Sequence, residues 1–265
     1  MRAVLKGAWA YRYYIQSSIR TEFMSRFVRS RIGGVWMIVN PLVQVMIYAL
    51  ILSSVLSARL PELAEQPYGY AIYLTAGILC WTLFSDVVSR CLTVFIENGN
   101  LLKKMVFPKI CLPLITVGTA VVNNALLFVS IVAVFAALGH GLSAAVLALP
   151  LLTALTLALA LGIGLVLGIL NVFIRDIGHV VPLVLQLGFW FTPIVYTPNI
   201  LPPGVHDLLV LNPVYPLVVA YHDVLVFQRI PDLPSLTGTA VLSLGLMTLA
   251  MVMFRRASPE MVDVL

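Results

Sequence analysis

The chain has 265 residues, of which 61% are hydrophobic and 10% charged, with mean hydropathy +1.02 and a formal net charge of +5. A soluble domain carries roughly 25% charged residues, so this composition excludes a water-soluble globular fold and gives no reason to expect a nucleic-acid partner. An all-α integral membrane protein is expected, its core built in lipid.

Residues 1–31 carry seven Lys/Arg and are too charged to span. Trp9, Ile15, Ile19, Phe23 and Phe27 recur mostly every four residues, with arginines between them. That spacing predicts an amphipathic helix, apolar and aromatic on one face and basic on the other, lying in the inner headgroup layer. It anchors the chain on anionic lipid and is compatible with touching a partner. No short apolar region with a small-residue cleavage site follows the basic start, so Met1 is expected to remain. The first 34 residues are read as this interface helix and 35–265 as the transmembrane domain.

A spanning helix needs about 20 apolar residues. Six spans are predicted, at roughly 35–57, 71–95, 110–136, 144–172, 179–197 and 234–254. With the N-terminus inside, the cytoplasmic segments hold thirteen Lys/Arg and the outer ones only Arg59 and Arg229. This asymmetry predicts that both termini are cytoplasmic.

The outer segment between spans 5 and 6 contains seven prolines, from Pro198 to Pro234, yet is too apolar for a free loop. Irregular backbone at membrane depth is tolerated where protein buries it or where it lines a wet cavity. Two short helices dipping back into the outer leaflet are predicted, about 203–211 and 214–228, with Pro213 opening the second.

Several chemistries are missing. None of the four lysines follows a glycine, so no phosphate-binding GxxxxGK[ST] loop exists. HExxH, GxSxG and acidic metal loops are absent as well. Cys80, Cys91 and Cys111 lie in or beside apolar runs without metal spacing and read as buried small hydrophobes. The pairs His206-Asp207 and His222-Asp223 are read as polar faces of interfacial helices, the alternative being a metal or acid-base site. No catalytic residue, metal site or bound cofactor is assigned to this chain.

Charges inside spans are costly and often functional. Asp86 and Arg90, four apart in span 2, can pair along one helix face. The pair is either a self-neutralising structural element or a polar element at a subunit seam or pathway. Asn123 and Asn124 are expected to bond a neighbouring helix, and Gly162, Gly164 and Gly168 allow close helix packing.

Three segments carry a resemblance: SRIGGVWMIVNPL (30–42), YLTAGILCWTLFSDVVSRCLTVFIENGNLLKKMVFPKICLPL (73–114) and NVFIRDIGHVVPLVLQLGFWFTPIVY (171–196). In this order they resemble the permease subunits of ABC-2-type exporters of bacterial surface polysaccharide, above all the O-antigen branch, with teichoic-acid exporters close by. The likeness runs from about residue 15 to 228, and ENGNLLKK, RDIGH and FWFTPIVY are specific in combination. It implies a homodimer of six-span subunits served by two copies of a separate ATPase, which binds the ATP and Mg. It implies export of a polysaccharide on an undecaprenyl diphosphate carrier across the bacterial inner membrane. An N-terminal interface helix and re-entrant periplasmic helices between spans 5 and 6 belong to the same pattern.

Within that frame the aromatic stretch gains a purpose. Rings stack on sugar C–H faces without demanding one pose, so Phe189, Trp190, Phe191 and Tyr196 are expected to line the outer part of a pore, with Trp81, Phe84 and Tyr48 as further company. An ordinary interfacial aromatic belt is the competing reading. Glu97, Asn98, Lys103 and Lys104 between spans 2 and 3, with Arg175 and Asp176 between spans 4 and 5, are expected to couple to the ATPase. Arg26, Arg29 and Arg31 are candidates to hold the carrier's diphosphate, since the arginine fork makes paired hydrogen bonds to phosphate; the competing reading is plain attraction to anionic lipid. The rival functions are export of teichoic acid, capsule or a small hydrophobic drug, a membrane glycosyl or acyl transferase using the His-Asp pairs, and a passive channel.

Overall fold

The computed structural model describes residues 9, 11–25, 39, 43, 46–47, 68–104, 111–198, 203–257 and 260–264. Among them there is helix and turn but no strand. The helices are α1 (Arg12–Ser25), α2 (Gly69–Glu97), α3 (Gly99–Lys104), α4 (Cys111–Ala137), α5 (Leu149–Phe173), α6 (Ile177–Trp190), α7 (Pro203–Val210), α8 (Tyr215–Leu225), α9 (Thr237–Ala257) and α10 (Glu260–Val264). A 3₁₀ turn, Ala144–Ala148, leads into α5, and another, Pro234–Leu236, into α9.

The sequence of α2 is hydrophobic all round, as expected of a helix surrounded by protein. Its 29 residues are buried along nearly their whole length. They pack against α4, α5, α6 and α8. The helices α4, α5 and α9 are equally apolar but each buries only a minority of its span, so one face remains for lipid. The close approach of α2 to α5 rests on glycine. A Cβ at Gly168 would collide with the carbonyl oxygen of Cys91, and one at Gly164 would stand 2.8 Å from Cys91 Cβ. Small residues at a membrane helix crossing permit this backbone approach.

Helix ends follow local chemistry. α4 stops at Gly139, whose φ of 77° opens the left-handed cap, and the His140 N–H returns to the Phe135 carbonyl at 2.9 Å. Ser143 caps the next turn by accepting from the Ala145 N–H. Pro150 sits in the first turn of α5, where a missing N–H costs nothing.

Four helical segments are long and apolar enough to cross a membrane: Gly69–Glu97, Cys111–Ala137, Ala144–Phe173 and Pro234–Ala257. They coincide with predicted spans 2, 3, 4 and 6. Predicted span 5 begins as α6 but ends after 14 residues at Trp190 and continues as turns through Tyr196. At ~1.5 Å per residue α6 is about 21 Å long, short of a crossing. Predicted span 1 lies almost wholly outside the described residues.

The two short helices between α6 and α9 are α7 and α8. The second begins at Tyr215 with Pro216, not Pro213, in its first turn, and the Asn212 side chain accepts from the Val214 N–H at 3.0 Å in the turn before it. α8 is buried along most of its length, against α2 and α5. The expected apolar stripe on α1 divides in two. Phe23 is buried and Ile19 fits over Gly118 of α4, whereas Trp9, just before the helix, is exposed. α10 packs beside the C-terminal end of α2: Met261 is buried among Phe95, Leu112, Ile169 and Val172.

Candidate functional site

One face of α2 carries Tyr70, Tyr73, Gly77, Trp81, Phe84 and Val88, spaced by three or four residues, so all six line up along the helix. The N-terminal half of this stripe grips the turn that follows α6. The Tyr70 hydroxyl donates to the Val195 carbonyl at 3.0 Å. The Tyr73 hydroxyl lies 3.2 Å from the Pro193 carbonyl and 3.1 Å from that of Tyr196. These are backbone acceptors freed by the end of α6, and the two tyrosines satisfy them where water is scarce.

Two further contacts fix the turn. His222 of α8 stacks on Tyr73, with ring centroids 3.7 Å apart and 16° between planes, and its Nε2–H donates to the Tyr73 carbonyl at 3.0 Å. Burial pushes its pKa down to about 3, so the ring is neutral. The Asn212 side chain donates to Thr192 Oγ1 at 2.8 Å and to the Phe191 carbonyl at 3.3 Å. Gly77 lies under this assembly, where a Cβ would stand 3.0 Å from His222 and 3.1 Å from Ile194.

The aromatic residues singled out in sequence separate by role. Phe189 is half-buried and packs edge-on against Trp81, centroids 6.0 Å apart. Trp190 and Phe191 are exposed, at 61% and 59%. Tyr196 is half-buried and donates its hydroxyl to the Trp190 carbonyl at 3.0 Å. Trp81, Phe84 and Phe191 meet in a cleft of about 560 Å³ that runs along α6, with Asp176 and Asn212 among its few polar residues. Trp190 and Tyr196 do not line it. Tyr48 lies outside the described residues.

The His-Asp pair of α8 is not a polar face, which corrects the sequence expectation. His222 is buried by Tyr73, and Asp223 is buried and paired with Arg229 at 2.6 Å. Both side chains are consumed by packing. The described residues contain no group of three His, Cys, Asp or Glu able to hold a metal.

Toward the C-terminal end of α2, Arg90 donates to Asp86 at 2.7 Å, the pairing expected from the spacing. It also donates to Glu22 of α1 at 2.6 Å, and Glu22 accepts from Thr119 of α4 at 2.9 Å. The pair is therefore part of the mount of the interface helix. Glu97 ends α2 in solvent, and the Asn98 side chain caps that end by donating to the Val94 carbonyl at 2.8 Å. Lys103 is exposed on α3, which Lys104 closes. Arg175 and Asp176 are exposed in the turn between α5 and α6. The last turn of α5, just before it, is tied to α2 by Asn171, which is buried and donates to the Leu92 carbonyl at 2.9 Å. Arg26, Arg29 and Arg31 lie outside the described residues.

Sequence reasoning missed Tyr70, Tyr73, Asn212, Glu22 and Asn171. The three-to-four-residue spacing of the stripe on α2 was the one signal available for the two tyrosines. Nothing local marks the others, whose partners lie far along the chain.

Comparison with known proteins places this geometry. The family model described as "ABC-2 type transporter" matches residues 13–226. A Myxococcus xanthus protein named O-antigen export system permease protein RfbA is 26% identical over 265 residues, covering 99% of each chain. A Klebsiella pneumoniae protein of the same name is 27% identical over 201 residues, covering 75% of this chain and 74% of its own.

Proposed function

Because the chain belongs to the ABC-2 type transporter family, we propose that it is the permease subunit of an exporter that carries lipid-linked O-antigen polysaccharide across the bacterial inner membrane. The observation that carries this reading is similarity over essentially the full length of both chains to a protein named for O-antigen export. The chain is a multi-pass membrane protein and a transport permease in kind, not an enzyme. In the proposed assembly it is a homodimer with two copies of a separate ATPase, which binds ATP and Mg. Both termini and α3 face the cytoplasm.

The polymer travels on undecaprenyl diphosphate. Arg26, Arg29 and Arg31 receive the diphosphate at the inner entrance. The aromatic turn after α6 and the cleft beside Trp81 and Phe84 guide the sugar outward, because rings accept a moving chain by stacking rather than by a fixed set of hydrogen bonds. Trp190 and Phe191 are exposed, and the turn that follows them is held at Pro193 and Tyr196, which supports a fixed aromatic surface at this point. Glu97, Asn98, Lys103, Lys104, Arg175 and Asp176 form the surface on which the ATPase pushes, and the tie from Asn171 to α2 carries a push on the turn into the bundle.

The test is deletion of the gene in its own host, with complementation by the natural chain or by the K103E/K104E variant. Loss of surface polymer with accumulation of lipid-linked polymer inside establishes export. Loss of both pools points to synthesis instead, and no change in either refutes the reading. The doubly reversed variant is expected to insert normally and to restore little export. Full restoration would remove the two lysines from the coupling surface.

A further inference from the structure

Two very short helices lie beside the C-terminal end of α2. α3 has six residues and α10 has five. A helix shorter than about 12–15 residues is marginal by itself in water, so each keeps its place by what it packs on. Beyond α2, from which it continues, α3 has its main packing partner among the described helices in α10, and α10 rests in turn on α5.

One side chain anchors α10. Met261 is 1% exposed, while Glu260 and Val264 face out. It enters a second, smaller core where the ends of four helices converge. Phe95 comes from α2, Leu112 from α4, Ile169 and Val172 from α5, and Phe254 from α9. The rings of Phe95 and Phe254 stand 5.7 Å apart there. A methionine suits such a junction, because its three rotatable bonds let it fill an irregular gap.

The position of this junction gives it a consequence. α3 carries Lys103 and Lys104, and Val172 stands just before the turn that carries Arg175 and Asp176. These are the two halves of the proposed coupling surface, far apart in sequence. Asn171 already ties the second half to α2 through the Leu92 carbonyl. α3 has no comparable length or buried stripe of its own, and its hold passes through α10 to the place where Ile169 and Val172 are buried.

We propose that Met261 is a positioning residue of the ATPase-coupling surface. By seating α10 in this junction it holds α3 at a fixed place beside the end of α5, so that a push on Lys103 and Lys104 moves the bundle instead of displacing a loose helix. Met261 acts through α3 and α10. The inference rests on the coupling surface proposed above. With the anchor removed, α3 yields under the push, and ATP is hydrolysed with less polymer moved.

The experiment uses the full-length permease co-expressed and purified with its host's ATPase subunit. M261A empties the seat, M261V empties it in part and M261L refills it, while V264A alters an exposed residue of the same helix. Hydrogen–deuterium exchange over 99–104 reads how often α3 opens, with 119–131 in the middle of α4 as reference. Exchange over 99–104 is expected to quicken about tenfold in M261A and less in M261V, and to keep the natural rate in M261L and V264A, as local opening separate from the rest of the bundle. As the only copy in the host, M261A should lower surface polymer per inserted permease several-fold and M261L should restore it, while the purified M261A complex hydrolyses ATP at close to the natural rate. An unchanged rate over 99–104 in M261A overturns the inference. So does exchange quickened equally over 119–131, which makes Met261 an ordinary core residue, and so does an equal loss of ATP hydrolysis and export, which makes it an assembly residue. Gene deletion separates this inference from the reading beneath it. If deletion alters neither polymer pool, the export reading fails and the inference with it. If deletion blocks export and M261A supports it fully, only the role of Met261 fails.

Discussion

Replacing Tyr73 by Phe removes one oxygen from the centre of the candidate site and leaves the ring. The stack on His222 survives, because a phenyl face serves as well as a phenol face at 3.7 Å. What is lost is a single O–H whose proton is shared between the carbonyls of Pro193 and Tyr196. A neutral hydrogen bond contributes about 0.5–1.5 kcal/mol net, and leaving its buried acceptor unpaired raises the cost toward about 2 kcal/mol. The turn should therefore leave its seat roughly ten- to thirtyfold more often, at about 1.4 kcal/mol per factor of ten. Thr197, buried just beyond the turn, reports this once replaced by Cys, since Cys80, Cys91 and Cys111 are buried and give little background. Maleimide labelling of T197C should quicken about tenfold in the Y73F background. Surface polymer per inserted permease should fall several-fold. An unchanged labelling rate would refute the claim that this hydroxyl holds the turn. Faster labelling with undiminished export would show that the turn's position does not matter to the cargo.

Two other perturbations test the packing. Gly168→Ala drives a Cβ into the backbone carbonyl of Cys91, which cannot rotate away, so α2 and α5 must separate. Overpacking of this kind costs about 1–3 kcal/mol or more, and the thermal midpoint in detergent should drop by several degrees. Gly245→Ala on α9 meets open space and favours helix by about 1 kcal/mol, so its midpoint should not fall; equal losses in the two variants would contradict the crossing described. Arg90→Met removes the Arg90–Glu22 tie and should loosen α1 by about 1 kcal/mol, discounted for partial exposure. Tryptic cleavage at the exposed Arg20 should then quicken about fivefold, and an unchanged rate would place the hold on α1 elsewhere.

The spans at 69–97, 111–137, 144–173 and 234–257 were legible because a bilayer reads hydropathy locally, over about 20 residues at a time. The Asp86–Arg90 pair was legible for the same reason, since four residues along a helix fix its geometry. The aromatic stretch announced itself by composition. Its prolines correctly marked the end of a helix, but the predicted bound of 197 overran the observed Trp190 because an apolar turn has the hydropathy of a span. His222 and Asp223 were misread for a related reason: a short helix with two polar neighbours looks interfacial until its burial is known.

Sequence alone thus determined that the chain lives in a membrane, where most of its helices run and which residues are chemically unusual. Each of these follows from side-chain transfer into lipid or from spacing within one helix. Only the tertiary structure decided which polar groups meet: Tyr73 with Pro193, Arg90 with Glu22, and Asn171 with Leu92. Those partners stand 120, 68 and 79 residues apart, and no local pattern encodes a pairing over such distances. In a bundle whose surface and core are equally apolar, hydropathy cannot tell the face that meets lipid from the face that meets protein. Close packing at Gly164 and Gly168 settles that question, and the hydrogen bonds follow from it.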